Sequence, residues 1–168
     1  MKTITQDGIT YKYCYVKTRG TSWKYGYYPE ADLIEAKANK KKPTERKIYE
    51  RKCDELWSKI IHLKFNKCMI SGQTKAEVTL HAHHIITKGS NKRLRWEIDN
   101  GILLSAYNHK WAKFAPHQSP VLFREKMVEL GFDGWLQLVD GMSRDKTDKV
   151  NMKDVYSHLK LEYDKLRV

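Results

Sequence analysis

Residues 67–114 read KCMISGQTKAEVTLHAHHIITKGSNKRLRWEIDNGILLSAYNHKWAKF, and the rest of the chain is organised around this stretch. It contains a doubled histidine, His83-His84, followed by Asn100 and then by His109. Histidine with an ordinary pKa of about 6.5 can bind a metal when neutral and can also accept a proton near pH 7. The order His-His, Asn, His therefore marks the stretch as the candidate site.

Hydrophobic patterning predicts the elements that carry these residues. Residues 76–86 (AEVTLHAHHII) are predicted to form a strand, residues 87–93 a basic loop, and residues 96–104 a second short strand or turn. A helix is predicted from residue 105 to residue 114, with Pro116 ending it. The histidines and the asparagine thus fall on a strand, at the end of a loop and at the start of a helix.

Strand geometry predicts different roles for His83 and His84. Adjacent residues on a strand point to opposite faces, so His83 and His84 cannot both ligate one metal ion in a regular strand. One of them can face the metal while the other faces an attacking water. Phosphodiester hydrolysis needs both parts, because water must lose a proton and the phosphate needs positive charge beside it.

The His-Asn-His pattern resembles that of the HNH nucleases. The resemblance implies an α+β fold with a ββα-metal core, and a hydrolase that cuts DNA with one divalent ion, magnesium or manganese. It implies that His83 and His109 ligate the metal and that His84 is the general base. It also implies that Asn100 hydrogen-bonds across the loop and holds the segment of the base, and we count Asn100 with His84 as catalytic.

Two short motifs resemble the zinc knuckles that many HNH proteins carry as paired C-x-x-C. Here Cys68 and Ser71 stand in the first motif, and Ser105 and Asn108 in the second, directly before His109. One thiolate cannot hold a structural zinc, which needs four ligands. We therefore expect a version without structural zinc, held by hydrogen bonds and by the packing of Leu103, Leu104 and Tyr107.

A wider segment, residues 55–138, resembles the NinG/Rap recombination nucleases of lambdoid phages and, more distantly, nucleases of the endonuclease VII type. The shared features are a helix that ends in SKIIHLKFNKC, the run His81-Ala82-His83-His84 before a basic loop, Arg95-Trp96-x-x-Asp99-Asn100, and the stretch from Phe123 to Leu138. This resemblance implies a phage-type enzyme that acts on branched or recombination DNA.

The charge of the chain favours a polyanionic partner. Lys and Arg number 32 against 20 Asp and Glu, which gives a formal net charge of +12. The residues predicted to contact the DNA backbone lie in the basic loop and in a basic strip at residues 37–52: Lys88, Lys92, Arg93, Arg95, Lys40, Lys41 and Lys42. The chain has no apolar run of membrane-spanning length and no signal peptide, and its three cysteines are irregularly spaced. A cytoplasmic protein with free thiols is expected, in the host cytoplasm if a phage encodes it.

The chain is predicted to have three parts. Residues 1–43 form an N-terminal β-hairpin (residues 9–28) and a basic helical appendage (residues 30–39), residues 44–140 form the nuclease domain, and residues 141–168 carry a C-terminal helix. Further helices are predicted at residues 44–66, where Thr44 is the cap, and at residues 120–130, 133–140 and 151–166.

Several alternatives stay open at this point. The chain could be a non-catalytic DNA-binding module with a degenerate HNH fold, or a nuclease that acts on RNA. Junction cleavage would need two active sites, so a homodimer is possible. Of the other histidines, His81 could be a further ligand but is expected to support the site by a hydrogen bond. His117 could reach the metal from the far end of the helix but is expected to lie in a surface loop. His62 and His158 are expected to be structural.

Overall fold

The computed structural model describes residues 2–17, 23–30, 42–145 and 150–167, and it has the predicted α+β class. The chain divides into two compact units, Met1–Pro43 and Thr44–Val168. The predicted helix at residues 30–39 lies outside the described residues, except for Glu30. No helix within the described ranges is long and apolar enough to cross a membrane.

The first unit contains a three-stranded antiparallel sheet in the order β1 (Thr3–Gln6), β2 (Ile9–Lys17) and β3 (Trp23–Pro29). The predicted hairpin is confirmed, and β1 extends it by one strand. Asp7 and Gly8 join β1 to β2, and both have positive φ angles, which a tight two-residue hairpin turn requires.

The second unit begins with helix α1 (Glu45–Phe65). The Thr44 side chain accepts a hydrogen bond from the Lys47 amide, as expected of an N-cap, and Asn66 ends the helix in the left-handed conformation. Its buried face carries Cys53, Trp57, Ile60 and Ile61. The helix predicted at residues 44–66 is therefore confirmed.

Strands β4 (Leu80–His84) and β5 (Gly101–Ser105) form a two-stranded antiparallel sheet in which His84 lies opposite Gly101. The prediction of strand over residues 76–86 is wrong in extent, because Thr74 and Glu77 close a turn that ends before β4 begins. The second strand starts at Gly101 and not near residue 96. A 3₁₀ helix, Arg93–Trp96, precedes it and buries Leu94 and Trp96.

Four helices complete the unit, each shown with its bounds: α2 (Ala106–Lys110), α3 (Pro120–Glu129), α4 (Asp133–Ser143) and α5 (Met152–Lys165). The prediction that α2 continues to Phe114 is wrong. The helix ends at Lys110 because the Ala112 amide donates to the Tyr107 carbonyl and the chain turns inward to bury Ala112 and Ala115. Helix α4 extends three residues beyond the predicted residue 140.

Strand β5 is buried along its whole length and separates two hydrophobic clusters. On one side Leu103 packs with Trp57 and Ile61 of α1 and with Leu159 of α5. On the other side Ile102 and Leu104 pack with residues of α3 and α4, namely Phe123, Met127 and Leu136. The strand pair that carries His83 and His84 is therefore fixed between layers of helices.

Candidate active site

Three imidazoles converge at one end of β4. His83 Nδ1 lies 3.0 Å from His109 Nε2, and His117 Nε2 lies 3.0 Å from the same His109 atom. One ligand nitrogen from each ring falls within 4.8 Å of the others. His83 belongs to β4, His109 to α2 and His117 to the loop before α3, so three separate pieces of the chain build this cluster.

The cluster fits a divalent metal ion. Burial and the neighbouring His109 and His117 rings lower the pKa of His83 to about 3, and burial with the same kind of neighbours lowers the pKa of His109 to about 4. Both rings are therefore neutral at pH 7, which is the form that binds metals. Within the described residues the cluster has three imidazoles and no fourth ligand, and catalytic zinc sites likewise have three protein ligands and an open position for water or substrate.

His117 is an exposed loop histidine, as the sequence predicts, and it is also the third member of the imidazole cluster. Its ring is exposed, yet it contacts His109. The turn after Lys110 brings it there, because the Gln118 side chain donates to the Lys110 carbonyl and the Ala115 amide donates to the Ala112 carbonyl. No motif spacing marks His117 in the sequence, and its only signal is a histidine in the loop that follows the predicted ligand.

His81 also touches the cluster, although not as expected. Its ring stacks on His109 at a centroid distance of 5.3 Å and an interplanar angle of 23°. It therefore supports His109 by ring packing and not by the predicted hydrogen bond. The buried Nδ1 atom of His109 has no hydrogen-bond partner in the described part of the chain.

His84 points to the opposite face of β4 and has different surroundings. Its Nε2 atom lies 2.8 Å from the Arg95 carbonyl oxygen, and its ring stacks on Trp57 at 3.9 Å with an interplanar angle of 6°. Because a carbonyl can only accept, Nε2 carries the proton and Nδ1 is the nitrogen that can accept one. Burial lowers the pKa of His84, with a further contribution from Lys88, although the bond to Arg95 opposes the shift.

Asn100 holds both ends of the loop that follows β4. Its Nδ2 atom donates to the Ile86 and Leu94 carbonyls at 2.9 Å, and its Oδ1 atom accepts from the Ile86 amide at 2.7 Å. The side chain is fully buried. It therefore positions the Leu94–Arg95 backbone, and with it the carbonyl that binds His84, without reaching the substrate itself.

Helix α1 supports the same loop through contacts that the sequence did not suggest. Asp54 accepts from Arg95 Nε and Nη2 at 3.0 and 2.7 Å and from Trp96 Nε1 at 2.9 Å. Trp57 Nε1 donates to the Glu97 carbonyl at 2.9 Å. Asp54 thus binds one edge of the Arg95 guanidinium and ties Arg95 to α1, while Arg95 also lines a cavity with Lys88 and Lys92. Its predicted contact with the DNA backbone stays a prediction.

The remaining predicted cations have different surroundings. Lys88 and Lys92 are exposed and line a cavity of about 230 Å³ together with Arg46 and Glu50. Arg93 pairs with Asp145 at 2.6 Å. Lys42 is exposed, and Lys40 and Lys41 lie outside the described residues. A basic cavity thus adjoins the loop that carries the Arg95 carbonyl.

Hydrogen bonds connect the two knuckle motifs. The buried Cys68 sulfur accepts from the Ser71 amide and from Asn108 Nδ2, each at 3.4 Å, and Ser105 Oγ accepts from the Asn108 amide at 3.2 Å. The expectation of hydrogen bonding between the motifs is confirmed. The expected packing of Tyr107 is wrong, because this ring is largely exposed on the outer face of α2.

Comparison with protein-family models, curated proteins and solved structures gave no match to this chain.

Proposed function

We propose that this chain is a metal-dependent endonuclease that hydrolyses DNA phosphodiester bonds, with an HNH-type ββα-metal core made of β4, β5 and α2. The main support for the proposal is the orientation of two neighbouring histidines. The neighbours His83 and His84 face opposite ways, so that His83 joins a three-imidazole cluster while His84 keeps Nδ1 as a proton acceptor. A purely structural metal site would need neither the open position nor the separate base.

The roles of the residues follow from these contacts. His83, His109 and His117 would hold the ion, which when bound supplies positive charge to the scissile phosphate and the leaving oxygen. His84 Nδ1 accepts the proton of the attacking water, and the bond from Nε2 to the Arg95 carbonyl holds the imidazolium that forms. Trp57 fixes the plane of the ring, and Lys88 and Lys92 bind phosphates that flank the cleaved bond.

The three imidazole ligands affect which metal ion the site would prefer. Magnesium and manganese, expected from the resemblance to HNH nucleases, prefer oxygen ligands, whereas imidazole suits zinc, nickel and related ions. Three imidazoles therefore support a transition metal such as zinc or nickel at this site. In keeping with the resemblance to phage recombination nucleases, the proposed substrates include branched DNA.

A cleavage assay tests the proposal. Protein stripped of metal by a chelator and reloaded with single ions would be incubated with plasmid, linear duplex, single-stranded and branched DNA. We expect cleavage only in the presence of a divalent ion. His84→Ala should lower the rate by about 10²–10⁴ while DNA binding and metal binding persist, because only the general base is lost. His158→Ala is the matched control and should retain the parent's activity, because the His158 side chain is exposed on α5 and is not the structural residue that the sequence predicts.

His117→Ala separates the metal cluster from the base. This variant should bind the ion more weakly by calorimetry, whereas His84→Ala should bind it like the parent. Cleavage by His84→Ala at the parental rate would contradict the assignment of the base. DNA binding without cleavage under every metal would instead identify a non-catalytic DNA-binding module.

A further inference from the structure

Tyr107 and Trp111 are the most exposed aromatic side chains in the part of the chain whose exposure is described, at 64% and 70%. They lie four residues apart on the outer side of α2. The Trp111 amide donates to the Tyr107 carbonyl at 2.8 Å, so the helical spacing extends to Trp111 and places both side chains on the same face. Both exposed side chains therefore lie on the same side of the chain, and we call this side the aromatic surface.

The fold does not account for this surface. The inward side of α2 is occupied by Asn108, which bonds to Cys68, and by His109, which belongs to the imidazole cluster. Tryptophan is normally well buried, and adjacent exposed aromatic rings indicate a binding surface. The two exposed side chains are therefore free to contact a ligand.

The position and charge of the surface indicate the ligand. Lys110 lies between the two aromatic residues, Lys113 follows them, and both are exposed. Trp111 comes two residues after His109, so the platform adjoins the proposed metal centre. Cations interleaved with exposed aromatic rings are the pattern by which proteins bind single-stranded nucleic acid, with phosphates on the cations and bases stacked on the rings.

We propose that Tyr107 and Trp111 form a stacking platform for unpaired nucleobases, and that the preferred substrate carries unpaired bases beside the scissile phosphate. This inference rests on the proposed nuclease function for its link to cleavage. The bases of an intact duplex stack on each other and present only their edges in the grooves. An aromatic platform therefore selects single-stranded, gapped or otherwise unpaired DNA over intact duplex.

Binding measured without divalent metal tests the platform apart from catalysis. The probes are an oligodeoxythymidine about 10 nucleotides long, within the usual site size of such proteins, and an abasic oligonucleotide of equal length, which keeps the phosphates and lacks the bases. The parent should bind the thymidine probe more tightly. Each ring removed, by Tyr107→Ala or Trp111→Ala, should weaken that binding roughly 5- to 150-fold and leave the abasic probe unaffected.

Two controls keep the result interpretable. Trp111→Phe retains an aromatic face and should keep most of the preference for bases. Leu161→Ala removes an apolar side chain of similar exposure, 62%, from α5 and should bind both probes like the parent. Circular dichroism verifies that every variant is folded.

The outcomes are distinct. Equal binding of both probes by the parent, or a base preference that survives loss of both rings, overturns the platform. If loss of the rings abolishes self-association in sedimentation and leaves base preference unchanged, the surface is an interface with a second copy and the proposal is wrong. A parent that prefers bases but cleaves no DNA with any metal supports the platform and refutes the nuclease.

Discussion

His83 and His84 are neighbours in the sequence, yet their side chains have unrelated surroundings. The alternation of side chains on β4 places one among imidazoles and the other against Trp57 and the Arg95 carbonyl. The same alternation explains why a single chemical group, imidazole, can serve as ligand at one position and as base at the next. At the scale of single residues, the surroundings and not the residue type assign the role.

Cys68 gives a prediction at this scale. Burial opposes ionisation of its thiol, but the hydrogen bonds from Ser71 and Asn108 outweigh burial and lower its pKa to about 7. A depressed acid pKa stabilises the folded state above the unfolded pKa, near 8.5, and this contribution is lost as the pH falls through about 7. The free energy of unfolding of the parent relative to Cys68→Ala should therefore rise between pH 7 and 8.5, by at most about 1.4 kcal/mol per pH unit.

Urea unfolding of both proteins at several pH values measures this difference. Cys53→Ala is the matched control, because burial and the neighbouring Asp54 raise the pKa of this buried thiol to about 11. The difference in unfolding free energy between the parent and Cys53→Ala should stay nearly flat from about pH 6 to about pH 7.5, where the thiol ionises little in either state. At higher pH it should change in the opposite direction to the Cys68 difference, because the unfolded thiol ionises before the folded one. A Cys68→Ala difference that is equally flat would show that the hydrogen bonds do not stabilise a thiolate.

At the scale of elements, the contact between α1 and β5 positions His84, the proposed base. Gly101 lies opposite His84 in the register, and α1 approaches it closely. A Cβ atom at this position would clash with Ile61 Cδ1 and would lie 2.7 Å from Trp57 Cζ2. Because Trp57 also stacks on His84, this close approach connects the packing of the helix to the orientation of the imidazole.

Gly101→Ala should therefore reduce both stability and cleavage. The added methyl group forces α1 outward or displaces Trp57, and overpacking of this kind costs about 1–3 kcal/mol. Urea unfolding measures the first effect, and kcat on saturating DNA measures the second. Gly141→Ala in α4 is the control, since a Cβ there meets no atom within 4 Å and alanine favours the helix by up to about 1 kcal/mol. Parental stability of Gly101→Ala would contradict the close approach.

At the scale of the whole molecule, the formal net charge is +12. Some of the cations pair with carboxylates, and others adjoin the candidate site. Asp54 engages Arg95, Asp145 pairs with Arg93, and carboxylates pair with several exposed lysines. Within the described ranges, the exposed lysines Lys88 and Lys92 adjoin the candidate site. The basic strip at residues 37–52 is the largest sequence cluster of positive charge, with eight Lys and Arg against two Glu.

Replacing Lys40, Lys41 and Lys42 with Ala should weaken DNA binding and flatten its dependence on salt. Each phosphate neutralised contributes about 0.9 to the slope of log affinity against log salt, so the slope should fall by roughly one to three units. The rate on saturating DNA should change little, since these residues are not proposed to touch the scissile phosphate. Fluorescence anisotropy at several salt concentrations measures the slope.

A matched variant controls for total charge. Lys64, Lys126 and Lys165 each pair with a carboxylate outside the strip, so replacing these three with Ala removes equal charge from groups that are already neutralised. Its salt slope should match that of the parent. If the strip variant also keeps the parental slope, residues 40–42 do not contact the backbone and the lysines around the cavity must bind it.

Most elements and the opposite orientations of His83 and His84 follow from local sequence. The Thr44 cap, the apolar spacing of α1 and the alternation at His83-His84 act between residues a few positions apart, so they can be read locally. The ends of β4 and α2 were misplaced, because the turn at Thr74–Glu77 and the inward burial of Ala112 and Ala115 override the local pattern.

Only the tertiary structure decided which distant residues complete the site. His117 reaches His109 through a turn, Asp54 binds Arg95 from 41 positions away, and Trp57 meets His84 because α1 packs on Gly101. The exposure of Tyr107 and Trp111 likewise follows from which face of α2 packs inward. Such contacts depend on how whole elements bury their apolar faces against one another, and no spacing within a single element encodes that choice.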